Sequence, residues 1–381
     1  MNQCILIPDS FKGTLTAVEF CQLGREAVEK HLPHCRVLTI PVADGGEGTV
    51  DCFVHALQAQ RVTIAVTGPW GEQVQAQYAL HGQTAFVEMA QAAGLPMVGE
   101  RKDPSLTTTY GVGEVIRHAV ASGCREIVVG LGGSCTNDAG TGAAAALGVR
   151  FFDGDGKTFV PTGATLDRIA SYDVSAAREL LAGCSVTAMC DIDNPMYGPQ
   201  GAAAVFAPQK GADAAMVTRL DDNLQHLAAI MQRQSGRDIA AIPGAGAAGA
   251  FGAGIVAFLG GELRSGIETV LDCVDFDALL NNTDLVFTGE GQLDSQSLRG
   301  KVIAGVARRA AAKAVPVVAV VGAVGEGAEE AFSLGVTAVF SINRRAEDFS
   351  VSRYRTRENF SATMDNILRL LAAARKDKGQ S

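Results

Sequence analysis

Residues 4–14 read CILIPDSFKGT, and the reading of this stretch decides the fold. Residues 4–8 are a short apolar run without polar alternation, the pattern of a strand buried on both faces of a parallel sheet. The run stops at a polar loop, and residues 17–31 continue with Val18, Cys21, Leu23 and Val28 at helical spacing. The same grammar follows at once: RVLTIPV at 36–42 reads as a strand, ADGGEGT at 43–49 as a glycine loop, and 50–57 as a helix. Strand, loop and helix in alternation predict an α/β architecture with a parallel sheet.

The far end of the chain repeats the pattern. DLVFT at 284–288 predicts a strand, followed by the loop GEGQLDSQSLRGK at 289–301 and a helix over 302–314. PVVAVV at 316–321 and TAVFSI at 337–342 predict two more strands. A last helix over 358–375 places Phe360, Met364, Ile367, Leu368 and Leu371 on one stripe. The middle differs. Residues 61–88 alternate as antiparallel strands do, and FFDGDGKTFV at 151–160 reads as a hairpin around an Asp-Gly turn. Two like ends around an unlike middle predict a two-domain α/β chain: a parallel-sheet domain of five strands made of 1–62 plus 278–381, interrupted by a second, mixed α/β domain over 63–277.

Composition narrows the classes of function. Of 381 residues, 47% are hydrophobic, too many for a disordered chain. The net charge of −9 argues against a partner held through phosphate backbones, so no nucleic acid is expected. No apolar run approaches the roughly 20 residues a membrane helix needs, and 247–261 is broken by glycines, so it reads as a buried helix or loop. The N-terminus lacks the pattern of a signal peptide. Nine cysteines, an odd number without a CxxC pair, read as reduced thiols of a cytoplasmic protein. Glycine is in excess, 44 residues, while aromatics are only 6%. The excess concentrates in polar blocks, which predicts backbone wrapped around a small charged ligand held by N–H groups and ions rather than by stacking surfaces.

Three of those blocks follow predicted strands: Asp9-Ser10-Phe11-Lys12-Gly13, Asp44-Gly45-Gly46-Glu47-Gly48 and Gly289-Glu290-Gly291-Gln292-Leu293-Asp294. Ligands of open α/β sheets bind beyond the carboxyl ends of the strands, where these loops would converge. A fourth block, GLGGSCTNDAG at 130–140, lies between a predicted strand and a small-residue helix. Free amides at a helix N-terminus, with Ser134, Thr136 and Asn137 as further donors, would cradle phosphate or carboxylate. Asp191 and Asp193, in CDIDNP at 190–195, suit Mg²⁺, or one of them a base for a hydroxyl; a plain turn at Asn194-Pro195 would look the same. Two look-alikes fail. Gly156-Lys157-Thr158 lacks the first glycine of a P-loop, its place being Phe151. GAGAAG at 244–249 follows Pro243 rather than a strand, so a dinucleotide fold and an NAD(P) oxidoreductase are poorly supported, whereas a close backbone approach is plausible there.

These residues describe a cleft for phosphoryl transfer, and the motifs that form it resemble the glycerate kinase family of the bacterial glucarate and glyoxylate type. The resemblance runs end to end, through IPDSFKGTL at 7–15, PVADGGEGT at 41–49, GLGGSCTNDAG at 130–140, CDIDNP at 190–195, PGAGAAGAFGAG at 243–254 and TGEGQLDSQSLRGK at 288–301. It implies a flavodoxin- or Rossmann-like domain interrupted by a second α/β domain. It also implies an ATP-dependent, Mg²⁺-assisted kinase acting on D-glycerate, with 2-phospho-D-glycerate as product and 3-phospho-D-glycerate as the alternative. Loop position and chemistry then suggest roles. Lys12, with Ser10, would contact phosphate or the glycerate carboxylate, and Asp44 with Glu47 the substrate. Asp191 would orient the attacking hydroxyl, with Asp193 alongside as a metal ligand. Ser134, Thr136 and Asn137 would bind phosphate or carboxylate. Gly289, Glu290, Gly291 and Lys301 would hold the nucleotide, and Asp294 the metal.

Overall fold

The computed structural model describes residues 1–376 other than 12, 44, 296, 299 and 300, with residues 375 and 376 described by backbone only. The chain divides into two compact units. The first comprises Met1–Asp44, His55–Gln58 and Ile267–Ser381, and the second Gly45–Val54 and Ala59–Gly266.

The first unit is built on a five-stranded sheet in the order Val336–Ser341, Val317–Val321, Leu285–Thr288, Gln3–Leu6, Arg36–Thr39. Every neighbouring pair is parallel. Numbered along the unit, this is the flavodoxin-like order 2-1-3-4-5. The uninterrupted apolar runs have their reason here: the three central strands are buried along their whole length. Alternate residues serve opposite faces. Val318 and Val320 join Phe20, Phe287, Phe360 and Met364 on one side. Ala319 and Val321 join Ile303 and Ala307 on the other. The helix Ala17–His31 covers the first face with the helix Thr356–Lys376, and their rings meet where Phe20 and Phe360 lie 4.3 Å apart between centroids. The start of Ala17–His31 is set by a capping box. The Thr16 hydroxyl accepts from the Glu19 amide at 3.1 Å, and the Glu19 carboxylate accepts from the Thr16 amide at 2.9 Å.

The second unit has a six-stranded mixed sheet in the order Glu262–Arg264, Ser185–Met189, Glu126–Gly130, Thr84–Glu88, Gln73–His81, Gln60–Thr67. The first four run parallel. The last two are added antiparallel, as the alternation over 61–88 predicts. The Asp-Gly hairpin pairs Arg150–Phe152 with Thr158–Phe159. Its Phe151 packs edge-on against Phe258, and Tyr172, 6.4 Å from Phe151 between centroids, does the same. The apolar run at 247 is a buried helix, Ala247–Leu259, that opens with three left-handed residues, Ala248, Gly249 and Ala250. Among the described residues no helix is long and apolar enough to cross a membrane.

Candidate active site

In the first unit the strand order reverses between Gln3–Leu6 and Leu285–Thr288, and the loops leaving their carboxyl ends frame a cavity of about 590 Å³. Asp9, Ser10, Glu290, Gly291, Asp294 and Lys301 line its polar end. This is the place where doubly wound sheets bind ligands. The two loops are tied together through their backbones, the Asp9 amide donating to the Gly289 carbonyl at 2.8 Å. Gly289 does not itself line the cavity. A Cβ there would lie 2.1 Å from the Val320 carbonyl oxygen, so its place is a close contact with the neighbouring strand.

Glu290 is the unusual group of this site. Its residue is 5% exposed, and its Oε1 has no hydrogen-bond partner among the described residues. Burial pushes its carboxyl up to about 8, and the nearby carboxylates of Asp9 and Asp294 push the same way while Lys301 opposes them. Asp294, by contrast, is held in a turn: its Oδ1 accepts from the Ser297 amide at 2.9 Å and its Oδ2 from the Gln292 side chain at 2.9 Å. Lys301 is exposed just before the helix Val302–Ala312. Lys12, expected to contact phosphate or the glycerate carboxylate, and Asp44, expected to contact the substrate, lie outside the described residues.

Of the three loops expected to converge, those after Gln3–Leu6 and Leu285–Thr288 belong to the first unit and frame this cavity, while residues 45–49 belong to the second. There Gly45 and Gly46 dock on the 130–133 loop of the same unit, with the Gly132 amide donating to the Gly45 carbonyl at 2.9 Å. The absence of side chains on Gly130 and Gly132 allows it, since a Cβ on either would stand 2.4 Å from that backbone. Glu47 is exposed on this loop. At these places the glycine excess brings backbone close to backbone of the same chain.

The expected anion cradle at 130–140 is corrected. The helix after it, Thr141–Ala146, is one and a half turns long, and its leading amides are taken by the chain's own Asp138. This carboxylate, fully buried, accepts from Gly140 N at 3.1 Å, Gly142 N at 3.3 Å, Thr109 N at 2.9 Å and the Thr109 hydroxyl at 2.8 Å. What remains for a ligand is the side-chain set. Thr136 Oγ1 and both polar side-chain atoms of Asn137 are buried without a hydrogen-bond partner among the described residues. Ser134 instead accepts from Lys210, whose Nζ also donates to the Thr136 carbonyl at 2.6 Å. Lys210 is 2% exposed, and burial lowers its ammonium to about 8. The left-handed turn at 248–250 braces the same loop. Gly249 accepts from the Ala139 amide at 3.0 Å, and a Cβ on it would lie 2.1 Å from the Thr136 carbonyl oxygen. The GAGAAG motif is therefore the close backbone approach and not a dinucleotide turn.

Asp191 lies at the start of the helix Gly266–Cys273, with its Oδ1 accepting from the Gly266 amide at 2.8 Å and the Ser265 hydroxyl at 3.1 Å. Asp193 is exposed two residues on. Among the described residues no three His, Cys, Asp or Glu side chains come together as a metal cage. Two buried ionisable groups escaped the sequence reading. Lys210 follows a short proline turn that carries no motif. Glu88 ends an apolar strand, a position that could have flagged it; its carboxylate accepts from the Val50 amide at 3.2 Å at the start of the helix Thr49–Leu57.

Fold and site together define an α/β enzyme of the doubly wound class, with a carboxylate- and lysine-lined cavity at its switch point. The chain belongs to the glycerate kinase family, whose model matches residues 4–372. It is 39% identical over 378 residues to the glycerate 2-kinase of Escherichia coli, covering 98% of this chain and 99% of that one. It is 42% identical over 345 residues to the glycerate kinase of Halalkalibacterium halodurans, covering 90% and 91%. A crystal structure assigned as glycerate kinase 2 of Salmonella typhimurium matches with a TM-score of 0.87 at 40% identity, over 98% of this chain and 99% of that chain. The protein is accordingly a kinase, a transferase with an alcohol acceptor.

Proposed function

We propose that this enzyme transfers the γ-phosphoryl group of ATP to the 2-hydroxyl of D-glycerate, giving 2-phospho-D-glycerate and ADP. The observation that supports it most is the switch-point cavity with the buried, partnerless oxygen of Glu290 among Asp9, Asp294 and Lys301. ATP is the co-substrate the family implies, and the 2-position follows the name of the Escherichia coli relative, glycerate 2-kinase.

The nucleotide phosphates are assigned to this cavity, with Lys301, Ser10 and Gly291 as their contacts, and Lys12 as a second cation. Glu290 fits a hard cation: an unpartnered buried carboxylate oxygen beside other carboxylates is stabilised as an anion only when positive charge arrives. Mg²⁺ is commonly held by one or two carboxylates together with substrate phosphates and waters, so a three-residue cage is not required. Glu290 and Asp294 would hold it, and it would neutralise charge on the transferring phosphoryl group. Asp193, being exposed, suits this task less well.

The acid's carboxylate is assigned to Thr136 and Asn137, whose buried donors lack partners, with Lys210 holding Ser134 and the loop backbone in place. Asp44 and Glu47 are assigned to the substrate. Asp191 takes the proton of the attacking hydroxyl. Its Oδ1, fixed by Ser265 and Gly266, sets the orientation of the carboxylate. The oxygen so activated attacks the γ-phosphorus in line, and ADP departs.

ATP consumption should be followed with D-glycerate, L-glycerate and tartronate, and the product examined by proton-coupled phosphorus NMR. A doublet, from phosphorus on a CH–O group, is expected with D-glycerate. A triplet would assign the 3-phosphate instead, and no turnover with D-glycerate would overturn the reading.

A further inference from the structure

The lining of the same cavity extends to the segment after the edge strand Val336–Ser341, two strands away from the one that Glu290 follows, and phosphates and a metal do not need this end. Ile342, buried, and Phe349, 64% exposed, belong to it. Phe349 opens the short helix Phe349–Ser352, fixed by Asp348, whose side chain accepts from the Ser350 amide at 2.8 Å. The segment before it is held by Glu347, which accepts from Arg355 at 3.0 and 3.1 Å. Two carboxamides, Asn343 and Asn359, line this end as well, and neither side chain hydrogen-bonds to a described residue.

A ring held open to solvent and two carboxamides with unused donors and acceptors suit a flat heteroaromatic with a polar edge. The cavity, about 590 Å³, lies within the range of small-molecule sites and exceeds what a triphosphate with its metal requires. We propose that this end is the base subsite: Phe349 stacks on the purine of the nucleotide, Asn343 and Asn359 meet its polar edge, and the phosphates run toward Glu290 and Lys301. The proposal rests on the reading that the cavity takes the nucleotide. It departs from the expectation, drawn from the low aromatic content, that stacking has no part in binding.

Calorimetric titration of the full chain with ADP and with tripolyphosphate, both in the presence of Mg²⁺, tests it with Phe349→Ala and Phe349→Tyr. F349A is expected to weaken ADP about tenfold and to leave tripolyphosphate unchanged, while F349Y stays within about twofold of wild type. The ring is exposed, so F349A is expected to fold as wild type does, and a circular dichroism melt matching wild type checks this. ADP binding unchanged in F349A, or equal losses of ADP and tripolyphosphate, would overturn the base subsite. A wild type that binds tripolyphosphate as tightly as ADP would overturn it while leaving the phosphate site standing. A wild type that binds neither would remove both.

Discussion

Two glycine-rich loops leave the carboxyl ends of parallel strands, residues 289–294 in the first unit and 131–140 in the second, and each carries a buried carboxylate. Asp138 of the second loop receives four hydrogen bonds from its own chain. Glu290 of the first keeps one oxygen without a hydrogen-bond partner among the described residues. Since a buried polar atom left unpaired costs about 1–3 kcal/mol, the carboxylate of the first loop holds a deficit that a ligand can fill, whereas the second loop has satisfied its carboxylate internally and leaves only the side chains of Thr136 and Asn137 for a ligand. Glycine and carboxylate at the end of a strand thus serve equally well to finish a fold or to await a ligand, and only the hydrogen-bond inventory separates the two.

The sharpest way to break this contrast is to exchange the fates of the two acids. Asp138→Ala leaves the Thr109 hydroxyl and three amides buried without an acceptor and should lower stability by about 4 kcal/mol in urea unfolding; a loss below about 1 kcal/mol would contradict the internal role. Glu290→Gln should leave stability at pH 8 equal or higher, yet weaken Mg²⁺–ADP binding at least tenfold by calorimetry. Gly249→Ala, with its Cβ pressed on the Thr136 carbonyl at a left-handed position, should cost about 2–3 kcal/mol in the same unfolding assay. Asp191→Asn retains an oxygen that can accept from Gly266 and Ser265, so its melting temperature should hold while turnover falls more than a hundredfold. Turnover within about tenfold of wild type, a barrier change of about 1.4 kcal/mol, would remove Asp191 from the chemistry.

The two units should also differ in their response to pH. Glu290 is raised in the fold to about 8 from an ordinary 4.5, so the folded state holds the extra proton between these values. Its share of stability is complete below pH 4.5 and is lost as pH rises through 8. Lys210 is lowered to about 8 from 10.5, so there the unfolded state holds the extra proton, and its share grows as pH rises from 8 to 10.5. Urea unfolding across pH should lose the first slope in Glu290→Gln and the second in Lys210→Met. The smallest effect expected is Thr16→Ala, about 1 kcal/mol from the lost cap and without change in either slope.

Much of the fold was legible because it rests on short-range pattern. The helix Ala17–His31 follows from apolar spacing after a polar loop, and the central strands from unbroken apolar runs. The lining of the candidate cavity was legible where a loop follows a strand, as at Asp9, Ser10, Glu290 and Asp294. It was not legible where side-chain direction depends on distant backbone. Asp138 turns inward because Ala139 and Gly140 adopt left-handed conformations that aim the following amides at it. Lys210 reaches Ser134 from 76 residues away, a pairing no local spacing encodes. Phe349 lies in a segment whose mixture of arginines and acids reads as plain surface.

The parallel pairing of Gln3–Leu6 with Leu285–Thr288 has a consequence for how the chain is made. The bond from Thr288 to Ile7 spans 281 residues, with the second unit's Ala59–Gly266 between its ends. During synthesis the first strand emerges early and finds its central neighbour only after residue 288 has left the ribosome. The second unit, by contrast, has all its strands once Arg264 is made. Long-range parallel pairing is slow because the ends must first be brought together. Prior folding of the inserted unit shortens the flexible chain to be closed, so the switch-point cavity is expected to form late, and truncated chains ending before residue 285 hold an apolar first strand paired on one side only, with Arg36–Thr39.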